Sequence, residues 1–337
     1  MRHERNGHSF IALASRGAIL PPQFLSRVAA LKAAQQDGTD YGLSKSLNLK
    51  DEIARYWRIA NDLFNTYQER RERTDLDRAK VGVDEWLVPL MRDVFGYKDL
   101  APAKPVELGE RRFPITHHAL EGDFPFVFTT KDADLDRADA RFGDDGRRRA
   151  PHNLMQELLN ASDSQHWGAI SNGTSIRLLR DNASIARPAY FQADLQQIFQ
   201  EQLYSDFAAL WLLIHSSRLR ARSDGSPAIL ETWRAQANEE GERALGQLRD
   251  GVTQALLSLG NGFLQHPANE RLRVAIADSS LTPGALFQEL LRLVYRLLFI
   301  FAAEERQVLH PATATGEQRQ LYSEGFALAR LRDRALR

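Results

Sequence analysis

The chain has 337 residues, and its 44 Lys and Arg balance 44 Asp and Glu, so the formal charge at pH 7 is zero. That balance lacks the basic excess of a dedicated nucleic-acid-binding domain, and the absence of cysteine excludes disulfides and thiolate metal sites. With 43% hydrophobic residues, the length suits a globular protein of two or three domains. Met1–Gly17 is polar, without the apolar core of a secretory signal, and the expected location is cytoplasmic.

Taken in chain order, the pattern begins helical. Pro22 can open a helix in which Phe24, Val28 and Leu31 share a face. After a turn at Asp37–Gly38, a longer stripe follows: Ile53, Tyr56–Trp57, Ala60, Phe64 and Tyr67, ending in the charged run Glu69–Asp77. Asp84–Phe95 predicts a further helix closed by Gly96 as a left-handed C-cap. Strands are expected at Arg112–His117 and Phe124–Thr130. A hairpin is expected over Trp167–Arg180, where Asn172–Gly173 supplies the turn. Between them lie a loop, Lys131–Arg149, and a helix, Asn153–Asn160.

The remainder reads as helices: Phe191–Phe199, Leu203–Ser217, the charge-laced Ala228–Leu259, and an apolar one from Pro283 to about Gln307. The stretch Leu286–Ala303 carries Glu289, Arg292 and Arg296, so it predicts a central core helix rather than a membrane span, which needs about 20 nearly uncharged residues. No membrane association is expected. The fold class expected is α+β: an N-terminal helical segment (1–80), a mixed α/β domain (81–195) and a C-terminal helical domain (196–337).

Two segments are more specific than these patterns. Pro151-His152, Gln156-Glu157, Leu159-Asn160, Trp167-Gly168, Asn172-Gly173 and Arg177-Leu178-Leu179-Arg180-Asp181 follow in that order, and Leu290–Arg306 reads LLRLVYRLLFIFAAEER. From about Tyr41 to Arg337 the chain resembles the region upstream of the catalytic domain in type IIG restriction–modification enzymes and in the adenine methyltransferases of the BREX and DISARM phage-defence systems. The resemblance implies a scaffold that touches the DNA duplex through its backbone. It implies a methyltransferase domain in cis or in trans, which would use S-adenosylmethionine on a flipped adenine. The signatures of that domain are missing here: there is no Asn-Pro-Pro, and no Gly-x-Gly follows a strand.

The same resemblance implies a PD-(D/E)XK nuclease fold over 81–195, with a degenerate site. Such a site needs an Asp on one strand and Glu/Asp-x-Lys on the next to hold Mg²⁺. In Phe124–Lys131, Lys131 takes the lysine position, but Thr129 stands where a metal-binding carboxylate belongs, and Phe113–Ala119 has no Asp. A remnant site would draw on Lys131, Asp123 and Glu85, or on Glu110, and would make the chain a Mg²⁺-dependent endonuclease with an atypical site. No metal site is expected otherwise: His117 and His118 are adjacent on a strand and point to opposite faces. Candidate DNA contacts are Arg147, Arg148 and Arg149, just before a helix and partly neutralised by Asp144 and Asp145. Asn172, Arg177 and Arg180 on the hairpin complete the set. A further possibility is a protein-interaction module docking onto a methyltransferase or helicase partner.

Overall fold

The structure is a computed structural model that describes residues 10–17, 19–131, 133–143, 146–182, 188–222, 224–306, 308–311 and 313–335. It is mixed α+β and divides into two compact units, residues 1–239 and 240–337. The boundaries expected near 80 and 195 therefore fall inside the first unit.

In that unit a short strand, β1 (Leu13–Arg16), precedes α1 (Pro22–Ala29) and α2 (Leu49–Arg70). Pro22 sits in the first turn of α1, where its missing N–H is no loss, and Phe24, Leu25 and Val28 are buried. Asn48 caps α2 by accepting from the Lys50 N–H, and Ile53, Ala60, Phe64 and Tyr67 form its buried stripe. A helix over 78–94 follows. It is wound wide: Val88 N–H donates to Val83 and Phe95 N–H to Leu90, five residues back rather than four. Trp86, Leu87, Leu90, Met91 and Val94 of this helix are buried, and Gly96 closes it at φ +80°.

Strands β2 (Ala101–Pro102), β3 (Val106–Leu108), β4 (Arg111–Phe113), β5 (His117–Ala119) and β6 (Phe124–Phe128) come next. Helix α3 (Pro151–Ala161) leads to β7 (Trp167–Ser171), β8 (Ser175–Arg180) and β9 (Tyr190–Asp194). Seven strands form one sheet in the order β1-β9-β8-β7-β6-β5-β2, and β3–β4 is a separate ribbon. Every pairing in the sheet is antiparallel except β6–β7, which is parallel and bridged by α3. All residues of β6 and β7 are buried, as expected for central strands covered on both faces.

The pleat assigns the two layers. Phe124, Phe126, Ala169, Ile176 and Leu178 meet Met91, Tyr97, Leu210 and Ile214 on one side. Helix α3 covers the other side, so closely that a Cβ at Gly168 would lie 2.4 Å from Met155 Sδ and 3.2 Å from Pro125 Cγ. Gly168→Ala is expected to cost about 1–3 kcal/mol through overpacking, read as a lower urea midpoint at unchanged m-value. An unshifted midpoint would show that Met155 yields freely. Helices α4 (Leu195–Gln200), α5 (Tyr204–Ile214), α6 (Ser216–Leu219) and the start of α7 (Ile229–Gln265) complete the unit, the last burying Ile229, Leu230, Trp233 and Ala237.

Two local expectations change, and a third gains detail. The strand expected at Arg112–His117 is broken: Pro114 lacks an N–H for the ladder, so Arg111–Phe113 pairs in the ribbon and His117–Ala119 joins the main sheet. The first half of the helix expected at Phe191–Phe199 is strand β9, held between β1 and β8, and Asp194 then caps α4 by accepting from Gln197 N–H. The hairpin strands fall where expected, Trp167–Ser171 and Ser175–Arg180, with the last ladder pair at Ser171–Ile176. Only Gly173 of the Asn-Gly pair has positive φ, at +83°.

The second unit is helical: the rest of α7, then α8 (Glu270–Ala277), α9 (Pro283–Glu305), α10 (Gly316–Gly325) and α11 (Ala329–Ala335). Among its described residues only Leu290, Val294 and Ala303 are buried, while Phe299 of α9 is 72% exposed. The expectation of a central core helix at α9 is thus corrected: its apolar residues occupy more of the circumference than the neighbouring helices cover. Glu304, at its end, accepts from the Tyr322 hydroxyl and from the Leu328 and Ala329 N–H groups. No helix among the described residues is long and apolar enough to cross a membrane.

Candidate functional site

The parallel pair β6–β7 ends where the sequence places the nuclease-like lysine. Thr129 is buried and its N–H continues the ladder to Ser171 O at 2.8 Å. Beside it, Thr116 Oγ1 accepts from Phe128 N–H at 2.8 Å and donates to Phe126 O at 3.2 Å. Both positions flanking this strand end therefore carry neutral hydroxyls, and that of Thr116 is engaged with backbone. His117 lies 3.1 Å from the Thr116 hydroxyl, and burial holds its imidazole below the usual histidine range.

Lys131, Asp123 and Glu85 do not converge. Lys131 Nζ pairs with Glu72 Oε1 at 2.7 Å, and Glu85 pairs with Arg70 at 2.9 Å. Asp123 precedes β6 while Lys131 follows it, so the two lie at opposite ends of the strand. Glu110, in the β3–β4 turn, is not brought to the strand end. Among the described residues no group of three or more His, Cys, Asp or Glu is arranged to hold a metal ion. Neutral hydroxyls do not supply the charge Mg²⁺ needs, so the residues present do not fit that ion.

The arginines sort into two kinds. Arg147 and Arg148 are exposed on the loop before α3. Arg149 is drawn inward: its backbone exchanges hydrogen bonds with Asp139, and its Nε lies 3.6 Å from Glu157. Asp144 and Asp145 lie outside the described residues. On the hairpin, Arg177 is 4% exposed. It binds Asp136 through two nitrogens (2.7 and 3.0 Å), donates to Gln192 Oε1 (2.9 Å) and stacks on Tyr190. The Arg177 guanidinium holds the Asp136 carboxyl below the usual carboxylate range. Arg180 grips Glu231 through two hydrogen bonds of 2.9 and 3.0 Å. Asn172 is turn chemistry: its Oδ1 accepts from Thr174 and Ser175 N–H while its amide donates to Ala133 O. Each of these three spends hydrogen-bonding groups on its own chain.

Sequence reasoning missed two places. One is the pairing of Lys131 with Glu72, from the charged run after α2. The other is a polar cavity of about 920 Å³ near the start of β6, lined by Tyr41, Lys98, Glu121, Asp123, His215 and Arg220 among others. His215 is 8% exposed. Its Nδ1 accepts from Ser217 N–H at 3.3 Å, which puts the proton of the neutral ring on Nε2. No local signal marks either place, since both are assembled from distant segments. Compared with known protein families, curated proteins and solved structures, the chain matches none.

Proposed function

We propose that this chain is the scaffold and DNA-backbone-contacting region of an adenine-specific DNA methyltransferase or restriction–modification protein of phage defence, and that it carries no catalysis of its own. The observation supporting this reading is one of topology. An antiparallel run, β2-β5-β6, passes through α3 into a parallel neighbour, β7, which is the order of the PD-(D/E)XK nuclease fold. Thr116 and Thr129 stand at the strand end where that fold needs carboxylates. S-adenosylmethionine would serve a catalytic domain joined or bound to this chain. The chain's one Gly-x-Gly, Gly260–Gly262, lies inside α7 and forms no cradle for it.

Arg147 and Arg148 would meet phosphates, which position a duplex without reading its sequence. The test is a labelled generic duplex titrated across salt, with and without Mg²⁺. The expected result is salt-sensitive binding without cleavage. In Arg147→Ala/Arg148→Ala the slope of log K against log salt should fall in magnitude by about 2, one unit per lost phosphate contact. Absence of binding at low salt would remove the DNA role. Mg²⁺-dependent cleavage lost in Lys131→Ala would replace the reading with that of an atypical endonuclease.

A second reading, a protein-interaction module, is favoured by the second unit. Leu245, Phe299, Leu321 and Phe326 are each 65–73% exposed there, more apolar surface than a free-standing helical unit ordinarily leaves to water.

A further inference from the structure

The polar cavity near the start of β6 has a volume of about 920 Å³, within the range of about 300–1,000 Å³ usual for small-molecule sites. Its walls join Tyr41 and Tyr56 to Gly96, Lys98, His215 and the turn that ends at Asp123. Asp99 ties that turn to the Lys98 segment by accepting from Glu121 N–H at 2.8 Å. Leu120 and Glu121 in the turn hold φ values of 54° and 62°, a left-handed conformation that residues other than glycine seldom adopt.

His215 presents a donor that nothing in the chain uses. Arg218 Nε donates to Ser217 Oγ at 3.1 Å, and that hydroxyl in turn donates to His215 Nδ1 at 2.8 Å. The relay keeps the ring proton on Nε2, and burial keeps the ring uncharged at neutral pH, its pKa lowered to about 3. The ring is 8% exposed, yet its Nε2–H has no hydrogen-bond partner among the described residues. Gly96 leaves that group uncovered, since a Cβ there would lie 2.7 Å from Nε2. A buried donor left unmatched is costly, so the cavity calls for an acceptor.

Charge narrows the ligand further. The walls carry three cations and four carboxylates, which disfavours a simple anion. Most of these charges are spent within the chain. Arg220 faces Glu121 at 3.4 Å, Arg222 faces Asp224 at 3.5 Å, and the Asp40 carboxylate accepts from Asp37 N–H at 2.9 Å. Lys98 and Asp123 are exposed, and neither makes a hydrogen bond through its side chain or an ion pair with a described residue. An unspent cation and an unspent anion thus share one cavity without closing on each other. The aromatic walls argue against a nucleobase. Tyr41 and Tyr56 stack on Trp211, with centroids 5.2 and 5.5 Å away, and already carry the guanidinium groups of Arg218 and Arg55 at 3.9 and 4.3 Å. Leu43 and Leu120 add apolar surface beside them.

We propose that this cavity binds a zwitterionic small molecule of the amino-acid or short-peptide class. Lys98 and the His215 Nε2–H take its carboxylate, Asp123 takes its ammonium, and an apolar side chain lies against Leu43, Leu120 and the tyrosines. Such a ligand satisfies both free charges and adds no net charge to the walls. The assignment stands whether or not the chain contacts duplex DNA through Arg147 and Arg148.

The experiment is calorimetric titration of the whole chain with L-leucine, leucyl-leucine and trileucine, with circular dichroism confirming the fold of each variant. At least one of the three is expected to bind saturably, and the length that binds tightest reads the spacing between Lys98 and Asp123. N-acetylation or C-terminal amidation of that probe should each weaken binding about tenfold, the value of one charge-assisted hydrogen bond. Lys98→Ala and Asp123→Asn, both at exposed positions, should weaken it by a similar factor. The losses should also pair off: in Asp123→Asn the N-acetyl form should bind as well as the free amine, and in Lys98→Ala the gap between amide and free acid should narrow. Absence of saturable binding by all three probes would overturn the proposal. So would blocked probes that bind like the free one, or both variants binding like wild type. Inorganic phosphate binding more tightly than any of the probes would replace it with an anion site.

Discussion

Arg218→Met is expected to destabilise the protein by about 3–5 kcal/mol, a large part of the 5–15 kcal/mol typical of a domain. Arg218 has no exposed surface. Its Nη1 donates to Gln35 O at 2.6 Å, its Nη2 donates to Asp40 O, and its Nε donates to Ser217 Oγ at 3.1 Å. The guanidinium also stacks 3.9 Å from the Tyr41 ring centroid and 5.6 Å from that of Trp233. Methionine keeps much of the volume but leaves two part-buried carbonyls without their donors, and each such loss costs up to about 1–3 kcal/mol. Arg218→Lys should recover little, because one ammonium on a flexible stem does not reproduce a planar fork. Urea unfolding decides the matter: a loss below about 1 kcal/mol would mean that water takes over the two carbonyls.

Acid should weaken the fold from about pH 6.5 downward, before carboxylates alone would act. Burial, then the charges of Arg218 and Lys98, lowers the His215 pKa from 6.5 to about 3. The unfolded chain therefore takes up this proton first. The contribution of His215 is complete above pH 6.5 and is lost progressively as pH falls toward 3, reaching about 4–5 kcal/mol at 1.36 kcal/mol per unit. Burial lowers His117 and His152 too, with the same sign.

Glu231 acts in a lower window. Burial raises its carboxyl, but hydrogen bonds from Arg234 and Arg180 outweigh that and bring it to about 2. Its contribution, about 3 kcal/mol, is present above pH 4.5 and lost between 4.5 and 2. His215→Asn retains an acceptor for the Ser217 N–H, so it isolates the proton from the cap. Stability measured against pH should be markedly flatter between 6.5 and 4.5 in this variant. An unchanged slope there would place the acid sensitivity elsewhere.

The candidate site shows how far residue types carry the argument. The neutral hydroxyl at Thr129 was legible, because a strand of five apolar residues followed by Thr-Thr-Lys can be aligned by eye with a Glu-x-Lys pattern. What surrounds Lys131 was not legible. Glu72 lies 59 positions earlier in a run that reads as a solvated helix end. Arg177 and Arg180 mislead in the opposite direction. Free arginines on a hairpin suggest phosphate, yet Asp136 and Glu231, 41 and 51 positions away, consume them.

Sequence by itself determined the elements whose signal is short-ranged. The α2 stripe is readable because residues three and four apart share a helix face. So are the helix at α3, the buried strands β6 and β7, the Asn-Gly hairpin and the C-cap at Gly96, because turn conformation and side-chain alternation are local properties. Tertiary structure alone decided that β1 pairs with β9 across some 180 residues of chain. It alone turned half of a helix-like segment into an inner strand. It also left α9 largely exposed where its composition reads as core. Strand pairing, ion-pair partners and burial depend on which distant surfaces meet, and no periodicity within a few turns of chain encodes that meeting.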